Sequence, residues 1–314
     1  MQGFVQCRIV NFAIIKTHSE GTYMIEIYLL EALCALDECG TLSAAALKLH
    51  ISQPALSRSM QKLEDLMGVS LFDRTKNKIV LNETGRIAAS MAKRILESEE
   101  DLITTVRNYD SSLHTVSGGY CAPGPMMEMP LNLTQIFPKM KVASEMESEE
   151  NLIRGLQNGK YGFIILSHAY EDEDTISIPC GSESLYFSLI PAHPAVMFKE
   201  QGLTFRQMNG ETFVMAGDIG IWRDLTMRMM PDSKFVLQDS LDALNAVINA
   251  STLPAFASDL TIRLFRSRQN STRIFIPISD PEATLHYHCI ILRKNTDRYQ
   301  KLISFLQKHS GQYA

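Results

Sequence analysis

Between residues 52 and 62 the chain gathers side chains suited to reading a nucleic acid: Ser52, Gln53, Pro54, Ser57 and Arg58, followed by Lys62. Hydroxyl and amide groups offer donors and acceptors to base edges. A guanidinium can engage two base acceptors at once, and an ammonium meets phosphate. These groups act together only at the tip of one helix. Ser52 supplies an N-cap oxygen, and Pro54 stands in the first turn, where its missing N–H costs nothing. Leu56, Met60, Leu63 and Met67 recur at helical spacing and define an inward face, which turns the polar set outward. The preceding segment, Leu42 to Leu49, is built around Ala44, Ala45 and Ala46, small enough for a second helix to approach its backbone. Thr41 and Ser43 at its start are placed for phosphate. The pair reads as a helix-turn-helix whose second helix enters a major groove.

The surrounding elements position that tip. Glu26 to Glu38 reads as a first helix with Leu29, Leu33 and Leu36 inward, ended by Gly40. Leu71 to Leu81 reads as a two-stranded wing turning at Lys76-Asn77-Lys78, with Arg74, Lys76 and Lys78 in reach of phosphate or a minor groove. From Thr84 to about Tyr109 the pattern is helical, with Ala88, Met91, Ile95, Ser98, Leu102, Thr105 and Tyr109 on one heptad seam. Five of those seven positions are apolar, which a lone helix would waste and a second copy would cover. Ala88, Met91, Ile95, Leu102 and Tyr109 are therefore the expected dimerisation residues.

Met24 to Gly85 resembles the DNA-binding region of a LysR-type transcriptional regulator. The resemblance rests on Ser43-Ala44-Ala45-Ala46-Leu47-Lys48-Leu49, Ile51-Ser52-Gln53-Pro54-Ala55-Leu56-Ser57, the run from Leu63 to Arg74, and Leu81-Asn82-Glu83-Thr84-Gly85. It extends more loosely through Leu189 to Pro194, Phe213-Val214-Met215, Asp239-Ser240-Leu241 and Leu292-Arg293-Lys294. It implies an α/β protein overall: an N-terminal winged helix-turn-helix, a long linker helix and a C-terminal effector domain of two α/β subdomains, like a periplasmic binding protein. The expected divisions are 1–23 as an extension or misassigned start, 24–82 for DNA binding, 83–113 for the linker helix, and 114–314 for the effector domain. Within the last, 114–186 with 284–314 forms one subdomain and 187–283 the other. The implied partners are double-stranded DNA, a second copy or a tetramer, a small-molecule effector and RNA polymerase.

Composition agrees with such a protein. The 314 residues carry a net charge of −5, yet Lys48 to Arg94 holds nine basic residues against four acidic ones. A locally basic surface on an acidic chain still binds phosphates by releasing counterions. The six cysteines include no Cys-x-x-Cys pair and read as reduced cytosolic thiols. No apolar run approaches the roughly 18 residues of a spanning helix, so the expected location is the cytoplasm, away from membrane.

Beyond residue 112 short apolar strands alternate with helical segments, an α/β pattern in which parallel strands are expected. Ligands in such sheets lie beyond the carboxyl ends of strands, near helix N-termini. The loop Cys121-Ala122-Pro123-Gly124, the segment Glu147-Ser148, Ser167-His168, Asp218-Ile219 with Trp222, and Thr252 would ring one cleft. No Arg or Lys falls among them, which argues against capture of a dicarboxylate. The resemblance departs at Ser251-Thr252-Leu253, where a glycine-rich turn is expected, and at Gly162, where an acid is usual; both leave the effector unidentified. Cys121 has no neighbouring cysteine in sequence to act as a redox partner. His286 and His288 share a strand face without a further ligand at metal spacing, so neither metal nor cofactor is expected. Enzyme motifs for acyl or phosphoryl transfer and for dinucleotides are missing, which points away from an enzyme. Two alternatives stand beside an effector-controlled regulator: a DNA-binding regulator whose cleft is filled by its own side chains, and a solute-binding or enzymatic α/β protein.

Overall fold

The computed structural model describes residues 24–75, 78–265 and 272–309. The extension 1–23 and Lys76 at the wing turn lie outside the described residues. The chain divides into two compact units, 1–102 and 103–314.

In the first unit α1 (Ile27–Cys39) ends at Gly40, whose φ of 67° is the left-handed cap that glycine adopts without strain. Thr41 caps α2 (Leu42–Lys48) by accepting from the Ala44 N–H at 3.3 Å. Ala45 and Ala46 are buried in that helix, whereas Ala44 faces solvent. The turn is closed by the Ile51 N–H donating to the Ala46 carbonyl at 3.0 Å. Ser52 then caps α3 (Gln53–Met67) through the Ala55 N–H at 3.3 Å, and Gly68 ends it at φ 68°. Leu56, Met60 and Leu63 pack against Leu29, Leu33 and Leu36 in one core. The wing is an antiparallel pair, β1 (Phe72–Thr75) and β2 (Lys78–Leu81), with Phe72 opposite Leu81. It leads into α4 (Glu83–Ser112), 30 residues long, which runs past the Thr84–Tyr109 pattern but stays inside the 83–113 expected for the linker helix. Asn82 starts α4 by accepting from the Gly85 N–H at 2.8 Å.

The second unit follows the order β3 (Thr115–Tyr120), α5 (Pro123–Ile136), β4 (Lys141–Met146), α6 (Glu149–Gln157), β5 (Phe163–Leu166) and β6 (Thr175–Leu189). It continues through α7 (Phe205–Met208), β7 (Thr212–Ala216), α8 (Ile221–Met229), β8 (Lys234–Gln238), α9 (Leu241–Ala250), β9 (Ala255–Ser258), α10 (Asp259–Phe265), β10 (Ile274–Pro277), β11 (Thr284–Leu292) and α11 (Thr296–His309). The strands form one sheet in the order β4-β3-β5-β11-β6-β9-β7-β8, with β10 also paired to β6.

Two expectations are corrected here. The sheet is mixed: β3 with β4 and β5, and β7 with β8 and β9, are parallel, but β6 and β11 run antiparallel to their neighbours. The reason is β6, a 15-residue strand that pairs with β11 over Thr175 to Ser184 and with β9 over Leu185 to Ser188. It belongs to both halves, so the chain must reverse direction at the junction. The second correction concerns Pro123-Gly124-Pro125, which the sequence presents as a loop. Pro123 instead opens α5, because its fixed φ suits the first helical turn.

Candidate nucleic-acid interface and regulatory crevice

The outer surface of the helix pair carries the expected polar set. Thr41, Ser43, Ser52, Gln53, Pro54 and Arg58 are exposed, and Ser57 is half-buried. Ser43 Oγ donates to Gln53 Oε1 at 3.0 Å, which ties the start of α2 to the tip of α3 and fixes the Gln53 amide before any partner arrives. Thr41 and Ser52 each use a hydroxyl lone pair to cap a helix. Arg58 is paired with no acid among the described residues. Lys62 behaves differently. It bonds Glu26 and Tyr28, with its ammonium 5.6 Å from the Tyr28 ring centroid, and the carboxylate beside it raises the pKa of the lysine. The pair is exposed and of little stabilising value. Of the wing cations, the backbone places Arg74 on β1 and Lys78 on β2.

One residue that sequence reading missed sets the wing. Glu64, near the end of α3 and 8% exposed, accepts from the Leu71 N–H at 2.8 Å, the Phe72 N–H at 3.2 Å and Ser70 Oγ at 3.2 Å. An acid inside the hydrophobic stripe of α3 was the available signal. Gly85 serves the same junction, since a Cβ there would collide with the Leu71 carbonyl and the Leu81 side chain.

On α4, Met91, Ile95, Leu102 and Tyr109 are exposed. Ala88 instead packs half-buried against the core of the first unit. Ile87, Ile103 and Val106 are exposed as well, and the heptad reading missed all three. Val106 follows Leu102 by four residues and Ile103 is adjacent to Leu102, so the apolar stripe is wider than one heptad position.

The expected effector residues separate into two groups. Cys121, Ala122, Gly124 and Trp222 are buried against protein, contrary to an open lining. Close packing is the cause: the Ile221 N–H donates to the Cys121 carbonyl at 2.9 Å, and a Cβ on Gly220 would strike that same carbonyl. Trp222 Nε1 donates to Glu183 Oε2 at 3.0 Å. The others stay at the surface. Ser148, His168, Asp218 and Thr252 are exposed, while Pro123, Glu147, Ser167 and Ile219 are half-buried. Ser148 caps α6, Glu147 accepts from Asn151 Nδ2 at 2.9 Å, and His168 Nε2 faces Glu149 at 3.0 Å. The Ala169 carbonyl and that carboxylate raise the pKa of His168.

Burial pushes the Cys121 thiol up to about 12 and those of Cys180 and Cys289 upward too. His288 is half-buried with Nδ1 3.2 Å from Ser177 Oγ, and burial lowers its pKa. Among the described residues no group of three His, Cys, Asp or Glu could hold a metal, and no helix is long and apolar enough to cross a membrane.

Residues 27–86 match the family model of bacterial regulatory helix-turn-helix proteins, lysR family. The hydrogen peroxide-inducible genes activator of Pectobacterium carotovorum subsp. carotovorum is 25% identical over 297 residues, covering 90% of this chain and 96% of that protein. The DNA-binding transcriptional dual regulator OxyR of Escherichia coli strain K12 is 28% identical over 208 residues, covering 63% and 66%. A full-length OxyR variant from Pseudomonas aeruginosa shares the fold at a TM-score of 0.50 and 19% identity, over 90% of this chain and 95% of that one. The matched family segment is the unit whose α3 tip stands outward with Gln53 and Arg58, so the chain carries a lysR-family helix-turn-helix and is a DNA-binding transcriptional regulator.

Proposed function

We propose that this regulator works in the cytoplasm as a homodimer. Its two copies of α3 would enter successive major grooves while Thr41, Ser43 and the wing cations hold phosphates. The observation that carries the reading is the exposed tip of α3, with Gln53 tethered to Ser43 at 3.0 Å and Arg58 unpaired among the described residues. The exposed stripe on α4 supports pairing through that helix. A footprint on oligonucleotides selected with the full chain tests it. Two protected half-sites about one helical turn, or a multiple, apart are expected, and a single unpaired site would contradict the dimer. RNA polymerase is the machinery such a complex would influence.

The sequence suggests a small-molecule effector in the crevice of the second unit. Burial of Cys121, Ala122, Gly124 and Trp222 favours the second reading, a crevice filled by the protein's own groups and regulation without a ligand there. The relatives named for hydrogen peroxide induction raise the question of a thiol response. Thiols attack as thiolates, and desolvation raises the pKa of the buried Cys121 and Cys289 and of the half-buried Cys180. Peroxide control through these three is therefore not part of the proposal.

A further inference from the structure

At the carboxyl ends of β3 and β7, where a ligand of this sheet would lie, stands a carboxylate that belongs to the chain. Glu183 sits on β6, one residue before that strand passes from β11 to β9, and is 2% exposed. Tyr287 Oη on β11 donates to its Oε2 at 2.6 Å, and Trp222 Nε1 on α8 donates to the same oxygen at 3.0 Å. The Ser258 hydroxyl at the end of β9 adds a further hydrogen bond. At Gly124, in the first turn of α5, an added Cβ would strike both carboxylate oxygens and the carbon between them. Glycine there lets the carboxyl group lie on the positive end of a 14-residue helix; burial raises its pKa, and the hydrogen bonds from Ser258, Tyr287 and Trp222 oppose that rise. These donors come from both halves of the sheet, and the Ile221–Cys121 hydrogen bond closes the same gap beside them.

A buried carboxylate without a cation is costly, and a core that needed only packing would do better with an apolar side chain. Converging neutral donors at a helix N-terminus are instead what a bound carboxylate needs. The adjoining cavity, bordered by Glu128, Asn132, Ser182 and Tyr287, measures about 30 Å³, room for one water and no effector. We infer that the Glu183 carboxylate is a built-in occupant of the crevice, standing where a bound carboxylate would stand and fastening the two halves of the C-terminal unit together. The inference rests on reading that unit as the regulatory half with a filled crevice.

Glu183→Ala in the full-length chain removes one acetate's worth of heavy atoms, which makes acetate the matching probe. Trp222 is the only tryptophan of the chain, so its emission reports on the site directly. The variant is expected to melt lower than wild type with shifted emission. Sodium acetate should restore both saturably, raising Tm by a few degrees at about ten times its dissociation constant. Sodium chloride at equal ionic strength should not, and wild type should ignore acetate. An equal acetate response in wild type, or a folded variant that ignores acetate, would overturn the inference. If the alanine variant does not fold, Glu183→Gln decides. Its neutral amide keeps the shape, and unchanged Tm and Trp222 emission would show that the donors need no carboxylate. Specific-DNA affinity measured on the wild-type preparation keeps a failure of this inference separate from a failure of the DNA-binding dimer.

Discussion

Leu102→Glu should dissociate the dimer, and the size of the effect follows from the exposure of the side chain. Leu102 is 63% exposed in the single chain. Burying a leucine side chain completely is worth about 1.5–3 kcal/mol, so covering the exposed part contributes about 1–2 kcal/mol per protomer. A two-fold interface repeats each residue, which doubles this to about 2–4 kcal/mol. At 1.4 kcal/mol per decade, dimerisation should weaken roughly 30- to 1,000-fold. The figure is a lower bound, because two carboxylates would then face each other across the pair. Sedimentation equilibrium of both proteins reads the dissociation constant. A parallel titration of two-half-site and single-half-site duplexes should show the variant losing its advantage on the longer DNA alone. An unchanged dissociation constant would refute α4 pairing at this position.

Glu64→Ala strands the N–H groups of Leu71 and Phe72. At about 1–3 kcal/mol for each unsatisfied group, the first unit should lose about 2–6 kcal/mol in denaturant titrations followed by circular dichroism, with Glu64→Gln milder. His168 has a raised pKa, led by the Ala169 carbonyl and then Glu149. Its contribution is present below the unfolded value near 6.5 and fades as pH rises through the folded value. Since both partners are about half exposed, the gain is small, and Glu149→Gln should flatten the pH dependence of Tm across that window. With burial raising the pKa of their thiols, Cys121 and Cys289 should resist iodoacetamide at pH 8 in the native protein and react on unfolding; rapid native labelling, mapped by mass spectrometry, would contradict their burial.

The helix-turn-helix is legible in the sequence because each signal is local. Ser52, Pro54 and Gly68 mark the ends of α3, and Leu56, Met60 and Leu63 mark its buried face. The second unit is less so. The middle of β6, Ser182-Glu183-Ser184, is polar because its partners are Trp222 and Tyr287, 39 and 104 residues away in sequence, and no local pattern announces a buried carboxylate. Trp222 stands out as a cleft residue, but its sequence neighbours cannot show that the cleft already holds its partner. Prolines at 123 and 125 suggest a loop because the same residue marks both turns and helix starts. On α4 the heptad frame is recognisable, yet its extension to Ala88 overlooks that the helix also packs its first turns on the preceding core.

The account depends most on α3 reading bases, and Arg58→Ala tests this directly. Affinities of wild type and variant should be measured on the selected operator and on its single-base variants at fixed salt. A loss of about 1–3 kcal/mol on the operator, with preference relaxed at one position of each half-site, is the expected result. An equal loss on every sequence would assign Arg58 to phosphate, and no loss at all would contradict the placement of this helix in the groove.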